Sequence, residues 1–222
     1  MNIKILEVLL GALLLTGCQA ADPLSGAKDP HYPWWDLRFT APSHMTGWVE
    51  ASAVVDINNR FFPRRGGGAG GIGTGNFEND GIEHARGWSD TSGNGSFVTG
   101  ADLPQRVFVR WQSSVEPQTY QGWVEIPEEA RQLMRKSTAR RCADDPERHS
   151  SFNASVTLGL APGGIVQVWV WDECLRRIPF ARAQVEIEPL GPDLGKSNGH
   201  YFRQTKDSKL YVEKFGIPYG SW

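Results

Sequence analysis

From residue 107 the sequence alternates: Val107, Val109 and Trp111 take every second position, with Phe108 and Arg110 between them. Only an extended backbone sends successive side chains to opposite faces, so residues 106–112 are expected to form a strand with one buried side. Residues 120–126 follow after a polar gap and are expected to pair with it as a hairpin. Residues 48–57, 154–160, 165–171 and 181–188 read as further strands. In the last of these Val185 and Ile187 are expected to point inward, and Glu186 and Glu188 outward. Residues 34–39 are a candidate first packed element. Composition agrees with this reading. The 25 Gly and 14 Pro work against a helical bundle, while 9 Trp, 10 Phe and 5 Tyr suit pleated surfaces. At 40% hydrophobic, the chain has enough core material to fold.

One helix stands out. Pro127 near its first turn, followed by Glu128 and Glu129, suits a helix N-terminus. Ala130, Leu133 and Met134 make a narrow apolar stripe, and Arg135, Lys136, Arg140 and Arg141 crowd the far end. Asn198-Gly199 is a hairpin-turn signal ahead of a short strand at 200–202. The expected fold is mainly β (α+β): an antiparallel β-sandwich-like domain with one prominent helix and a long Gly-rich loop. The pattern shows no internal repeat and no second domain.

The loop is the irregular part. Between Gly66 and Gly75 only Ala69, Ile72 and Thr74 are not glycine, and little regular structure is expected before about residue 100. Loops of that length are usually functional or disordered. Gly68, Gly70 and Gly73 match G-x-G-x-x-G, but the pattern leads one to expect no strand before them and no helix after them, the context that seats a pyrophosphate. The alternative is a loop that touches a protein partner. Arg64, Arg65, Gly70, Trp88 and Asp90 are its candidate contacts, with Trp88 expected to be exposed as an interface anchor.

The N-terminus reads as an address. Residues 5–15 are mostly apolar but cover only about half of a ~30 Å bilayer core at ~1.5 Å per residue. They end in Leu15-Thr16-Gly17-Cys18, which resembles the lipobox of bacterial lipoprotein signals. That resemblance implies a signal peptide over 1–17, a lipid on Cys18, a tether over 18–33 and one β-rich domain over 34–222. Gln19 as the second mature residue implies sorting to the outer membrane, with the domain in the periplasm. That compartment is oxidising, so Cys142 and Cys174 are expected to form a disulfide. Neither has a second Cys or His at ligand spacing, so no metal is expected.

No catalytic constellation emerges. The five histidines form no H-E-x-x-H pair, no G-x-S-x-G elbow occurs, and the Asp144-Asp145 and Glu128-Glu129 pairs read as solvated charges. A net charge of −2 disfavours a nucleic-acid partner. Trp169 and Trp171 share one strand face and could stack on a sugar ring, but they read more simply as core.

Leu103-Pro104, the strand ending Trp111-Gln112-Ser113, Glu116, Tyr120, the Pro127-led helix and the tail Phe215-Gly216-Ile217-Pro218-Tyr219-Gly220-Ser221-Trp222 resemble a family of uncharacterised Gram-negative periplasmic lipoproteins, known as a domain of unknown function. Members of such families are immunity proteins to type VI secretion phospholipase effectors. The resemblance implies a non-enzymatic, cofactor-free protein, anchored to the outer membrane by its lipid, that binds and occludes a secreted phospholipase-type effector. The alternative is an envelope lipoprotein that binds glycan or peptidoglycan; an unrecognised hydrolase comes third.

Overall fold

The computed structural model describes residues 35–65, 83, 86–88, 95–137, 141–148 and 154–222. The expected signal peptide, Cys18, the tether, Gly70 and Asp90 lie outside these residues. Among these residues ten strands form two five-stranded sheets, consistent with the sandwich-like arrangement the alternating pattern predicts. The first sheet has the order β4-β1-β7-β8-β9, from β1 (Trp35–Thr40), β4 (Gly95–Val98), β7 (Ser155–Ala161), β8 (Ile165–Trp171) and β9 (Arg177–Gln184). The second has the order β10-β6-β5-β2-β3, from β2 (Gly47–Asp56), β3 (Phe61–Arg65), β5 (Pro104–Ser113), β6 (Gln118–Glu125) and β10 (Glu186–Ile187). Every pairing is antiparallel except β1 with β7.

The inward faces carry the predicted alternation. Val107, Val109 and Trp111 of β5 meet Trp35, Leu37, Val156, Leu158, Val166, Val168 and Val170 of the first sheet in one core. Helix α1 (Glu128–Ser137) adds Ala130 and Met134 to it and packs against β8. The β7–β8 hairpin turns over three residues, Pro162, Gly163 and Gly164, and the two glycines take the positive φ that the reversal needs at no steric cost.

Several elements differ from the sequence reading. β4 falls inside the stretch expected to be irregular. Residues 181–188 are not one strand: β9 starts at Arg177 in the first sheet, and the chain crosses to the second sheet as β10. Ile187 is therefore exposed, and Glu188 is buried, its backbone N–H donating to the Thr119 carbonyl. After the Asn198-Gly199 turn no strand forms. Instead a second helix, α2 (Lys206–Phe215), is capped by the Thr205 hydroxyl, which accepts from the Ser208 N–H. α2 packs through Tyr211, Val212 and Phe215 beside Met45 and Trp222.

A short repeat is also present. Asp56…Arg60…Pro63 and Asp172…Arg176…Pro179 share the spacing D-x3-R-x2-P, and each opens a hairpin, β2–β3 or β8–β9. Both prolines sit on edge strands, the one place in a sheet where a missing N–H is harmless.

Candidate functional site

The outer face of the second sheet divides in two. Over one half lies the segment after β10. A bulge in β2 releases Glu50, which accepts from Arg110 Nε at 2.7 Å, Gln112 Nε2 at 2.9 Å and the Asp193 N–H at 2.7 Å. Phe202 stacks on Trp48 with centroids 4.7 Å apart, and its N–H donates to Gln112 Oε1.

The other half is apolar and aromatic, with Ala53 and Val55 buried at its floor and larger side chains open at its flanks. The register places Ala53 and Val55 of β2 beside Phe108 and Arg106 of β5, with Pro63 and Phe61 of β3 on one flank and Trp123 of β6 on the other. Phe61 is 59% exposed and Trp123 38%. The Arg106 guanidinium lies 4.6 Å from the Trp123 centroid, and Phe108, the register partner of Trp123, packs tilted beside it with centroids 5.5 Å apart. This pinning holds the indole in one orientation while leaving much of it open. Trp and Arg are the residue types that carry most binding energy at protein interfaces, and contiguous exposed apolar surface marks interaction sites.

The residues proposed from sequence have other surroundings. Arg64 is half-buried and closes the seam between the sheets: it donates to the Phe97 carbonyl at 2.9 Å and to the Ser96 hydroxyl, both on β4. Burial lowers its pKa, and Asp36 partly opposes that. Trp88 is half-buried rather than exposed. It meets Trp169 edge-on at 5.0 Å, packed with the residues around α2. A Cβ at Gly159 would meet the Trp88 and Trp169 rings at 2.5 Å, so glycine there makes room for both. Arg65 ends β3. Trp169 and Trp171 are not in the inter-sheet core: Val166, Val168 and Val170 take that face, and the two indoles lie on the outer face of the first sheet.

Cys142 and Cys174 are joined, S–S 2.08 Å, as the compartment argument expects. With Asp144 they are the one cluster of metal-ligand types among the described residues, but both sulfurs are spent in the bridge. Other polar clusters tie the tail down. Glu116 Oε1 accepts from Tyr219 at 2.7 Å, Tyr120 at 3.2 Å and the Gly163 N–H at 2.9 Å, while Tyr211 donates to Glu83. His44 stacks on Tyr211 at 4.6 Å. Burial lowers its pKa and Asp207 pulls the other way.

No curated protein and no solved structure matches the chain. Over residues 22–220 the sequence matches the family described as Protein of unknown function (DUF2931), and the chain belongs to it.

Proposed function

We propose that this protein is an outer-membrane-anchored periplasmic lipoprotein that acts by binding, without chemistry of its own, and that its partner is a secreted phospholipase-type effector which it occludes. The observation that carries the binding reading is the aromatic half-face of the second sheet: Phe61, Pro63, Phe108 and Trp123 with Arg106 braced over the indole. A rigid sheet presents these anchors at little ordering cost, which is how pre-organised inhibitor surfaces gain affinity. The disulfide supports an oxidising compartment. The lipid anchor rests on the Leu15–Cys18 motif, and the class of partner on the family resemblance.

The test is co-expression with a phospholipase effector encoded beside the gene, directed to the periplasm, scoring survival and measuring binding with purified proteins. Protection by the unaltered chain and its loss in Trp123→Ala and Phe61→Asp are expected. An unaltered chain that neither binds nor inhibits that effector removes the reading.

A further inference from the structure

On the outer face of the first sheet β7 presents small residues, Ser155, Thr157 and Gly159. Its neighbour β1 presents Asp36 and Arg38, and β8 presents Trp169 and Trp171. The register fixes the layout: Asp36 lies beside Ser155, Arg38 beside Thr157, and Thr157 opposite Trp169. Small side chains between large ones make a trough along β7, and Arg38 crosses it. Its guanidinium carbon is 4.7 Å from the centroid of the Trp171 ring, and β7 lies between their strands, so the side chain must span the trough. Asp36 pairs with its Nε.

Ser155 is 3% exposed and Thr157 0%. Their hydroxyls and the Trp171 indole Nε1 are buried without a hydrogen-bond partner. Native proteins leave few such groups unpaired, and here three share one trough. All three can donate, and the indole can only donate. The surrounding charge is positive: Arg38 crosses the trough and Arg177, the register partner of Trp171, stands at its rim, against the single carboxylate of Asp36, which pairs with Arg38. A sugar ring would need an open indole face, but guanidinium groups stack on both indoles, Arg177 lying 5.5 Å from the Trp169 centroid.

We propose that Arg38, Ser155, Thr157 and Trp171 form a binding site for an oxyanion, a phosphate or carboxylate group. Two residues along a strand span about 6.6 Å, and adjacent strands lie about 4.8 Å apart. Donors at that spacing can close on one anion from opposite sides at ordinary hydrogen-bond lengths. Arg38 lifts off Trp171 to admit the anion and then covers it, so the guanidinium serves as both lid and counter-charge.

The experiment titrates the purified full-length chain in detergent with inorganic phosphate, glycerol 3-phosphate and acetate, and with galactose as the neutral control. Thermal midpoint and tryptophan fluorescence are followed. Saturable binding of at least one oxyanion is expected. Tighter binding of glycerol 3-phosphate would identify a lipid headgroup as the source, tighter phosphate the free anion, and tighter acetate a carboxylate. Trp171→Phe keeps a ring under Arg38 but removes the N–H, and Thr157→Val keeps the shape but removes the hydroxyl. Each should weaken binding about tenfold or more. The ligand-free Thr157→Val protein should be at least as stable as the parent, since an unpaired buried hydroxyl is gone. Should that variant fail to fold, Ser155→Ala supplies the same test. No saturable response to any oxyanion, unchanged affinity in the variants, or galactose binding at these residues would each overturn the proposal.

Discussion

Asp56 and Asp172 do the same work in opposite sheets. Each carboxylate accepts from the backbone N–H two residues on and four residues on, and from the Nε of the arginine four residues on: Asn58, Arg60 and Arg60 for the first, Cys174, Arg176 and Arg176 for the second, all at 2.8–3.0 Å. In both turns the residue three on has positive φ, Asn59 at 58° and Leu175 at 63°. Asp56 also takes the Asp102 N–H at 3.1 Å, tying its turn to the start of β5.

Removing either carboxylate strands backbone donors, three at Asp56 and two at Asp172. Unpaired donors cost roughly 1–3 kcal/mol each where water cannot replace the partner. Asp56→Ala should therefore destabilise by about 3 kcal/mol and Asp172→Ala by about 2, the second turn being held in addition by its disulfide. Urea midpoints at unchanged slope would check the order. A larger loss at Asp172 would contradict it.

The same carboxylates set the acid limb of stability. Burial pushes both up, but the hydrogen bonds from backbone and arginine outweigh it and hold each below the usual carboxylate value. A lowered native value means the stabilisation is complete above the unfolded value, about 3.9, and is lost as pH falls through the native one. The alkaline limb has the opposite sign. Burial, then the Glu116 hydrogen bond, pushes the Tyr219 phenol up to about 12. Its contribution is full below the unfolded value, about 10, and is lost between there and about 12. Denaturation against pH should show Asp56→Asn flattening the acid limb alone and Tyr219→Phe the alkaline limb alone.

Leu175 is the odd member of the pair of turns. It is exposed and left-handed, a conformation that places a leucine Cβ against the carbonyl. Asn59 holds the equivalent place at lower cost, since Asn tolerates this region. Leu175→Asn should stabilise by about 0.5–1 kcal/mol, read as a rise in thermal midpoint. A fall would mean that Leu175 contributes packing that outweighs the relief.

What the sequence made legible follows from burial. β5, β6, β8 and α1 were readable because one face of each is covered by the other sheet, so the alternation of Val107, Val109 and Trp111 is clean. β3 and β9 were obscured by Pro63 and Pro179, which look like breakers until the strands are known to lie at edges. The 181–188 alternation is continuous although the chain changes sheet at Val185, because local pattern carries no information about which sheet receives a side chain. α2 had a signal, Ser208, Tyr211, Val212 and Phe215 at helical spacing behind the Thr205 cap, hidden by a strongly polar outer face. The aromatic half-face was not legible: Ala53, Val55 and Phe108 look like inter-sheet core residues until the register puts them on the outer face of their sheet, where Ala53 and Val55 are buried among its own side chains.

The disulfide closes a loop with 32 residues of separation. Constraining that loop in the unfolded chain is worth about 3–4 kcal/mol, so a Cys142→Ser, Cys174→Ser double variant should lose about that much. The reduced parent should match it in denaturant titration. Agreement would assign the effect to the cross-link rather than to the lost sulfur packing.

Trp88 and Trp123 separate folding from binding. Trp88 is wedged edge-on against Trp169 in the notch that Gly159 leaves, so Trp88→Ala opens a gap among packed rings. Large-to-small changes at such a site cost about 2–3 kcal/mol for a half-buried indole. Trp123 has Arg106 on one face and Phe108 beside it, yet it stays 38% exposed and off the inter-sheet core. Trp123→Ala should cost under about 1 kcal/mol of stability. If the half-face is the partner surface, it should cost about 2 kcal/mol or more of affinity, roughly thirtyfold. Paired measurement of unfolding and of effector binding on both variants is decisive. The expected result is a stability defect with near-normal residual binding for Trp88→Ala, and a binding defect with near-normal stability for Trp123→Ala. The reverse assignment would move the interface to the first sheet and the segment around Trp88.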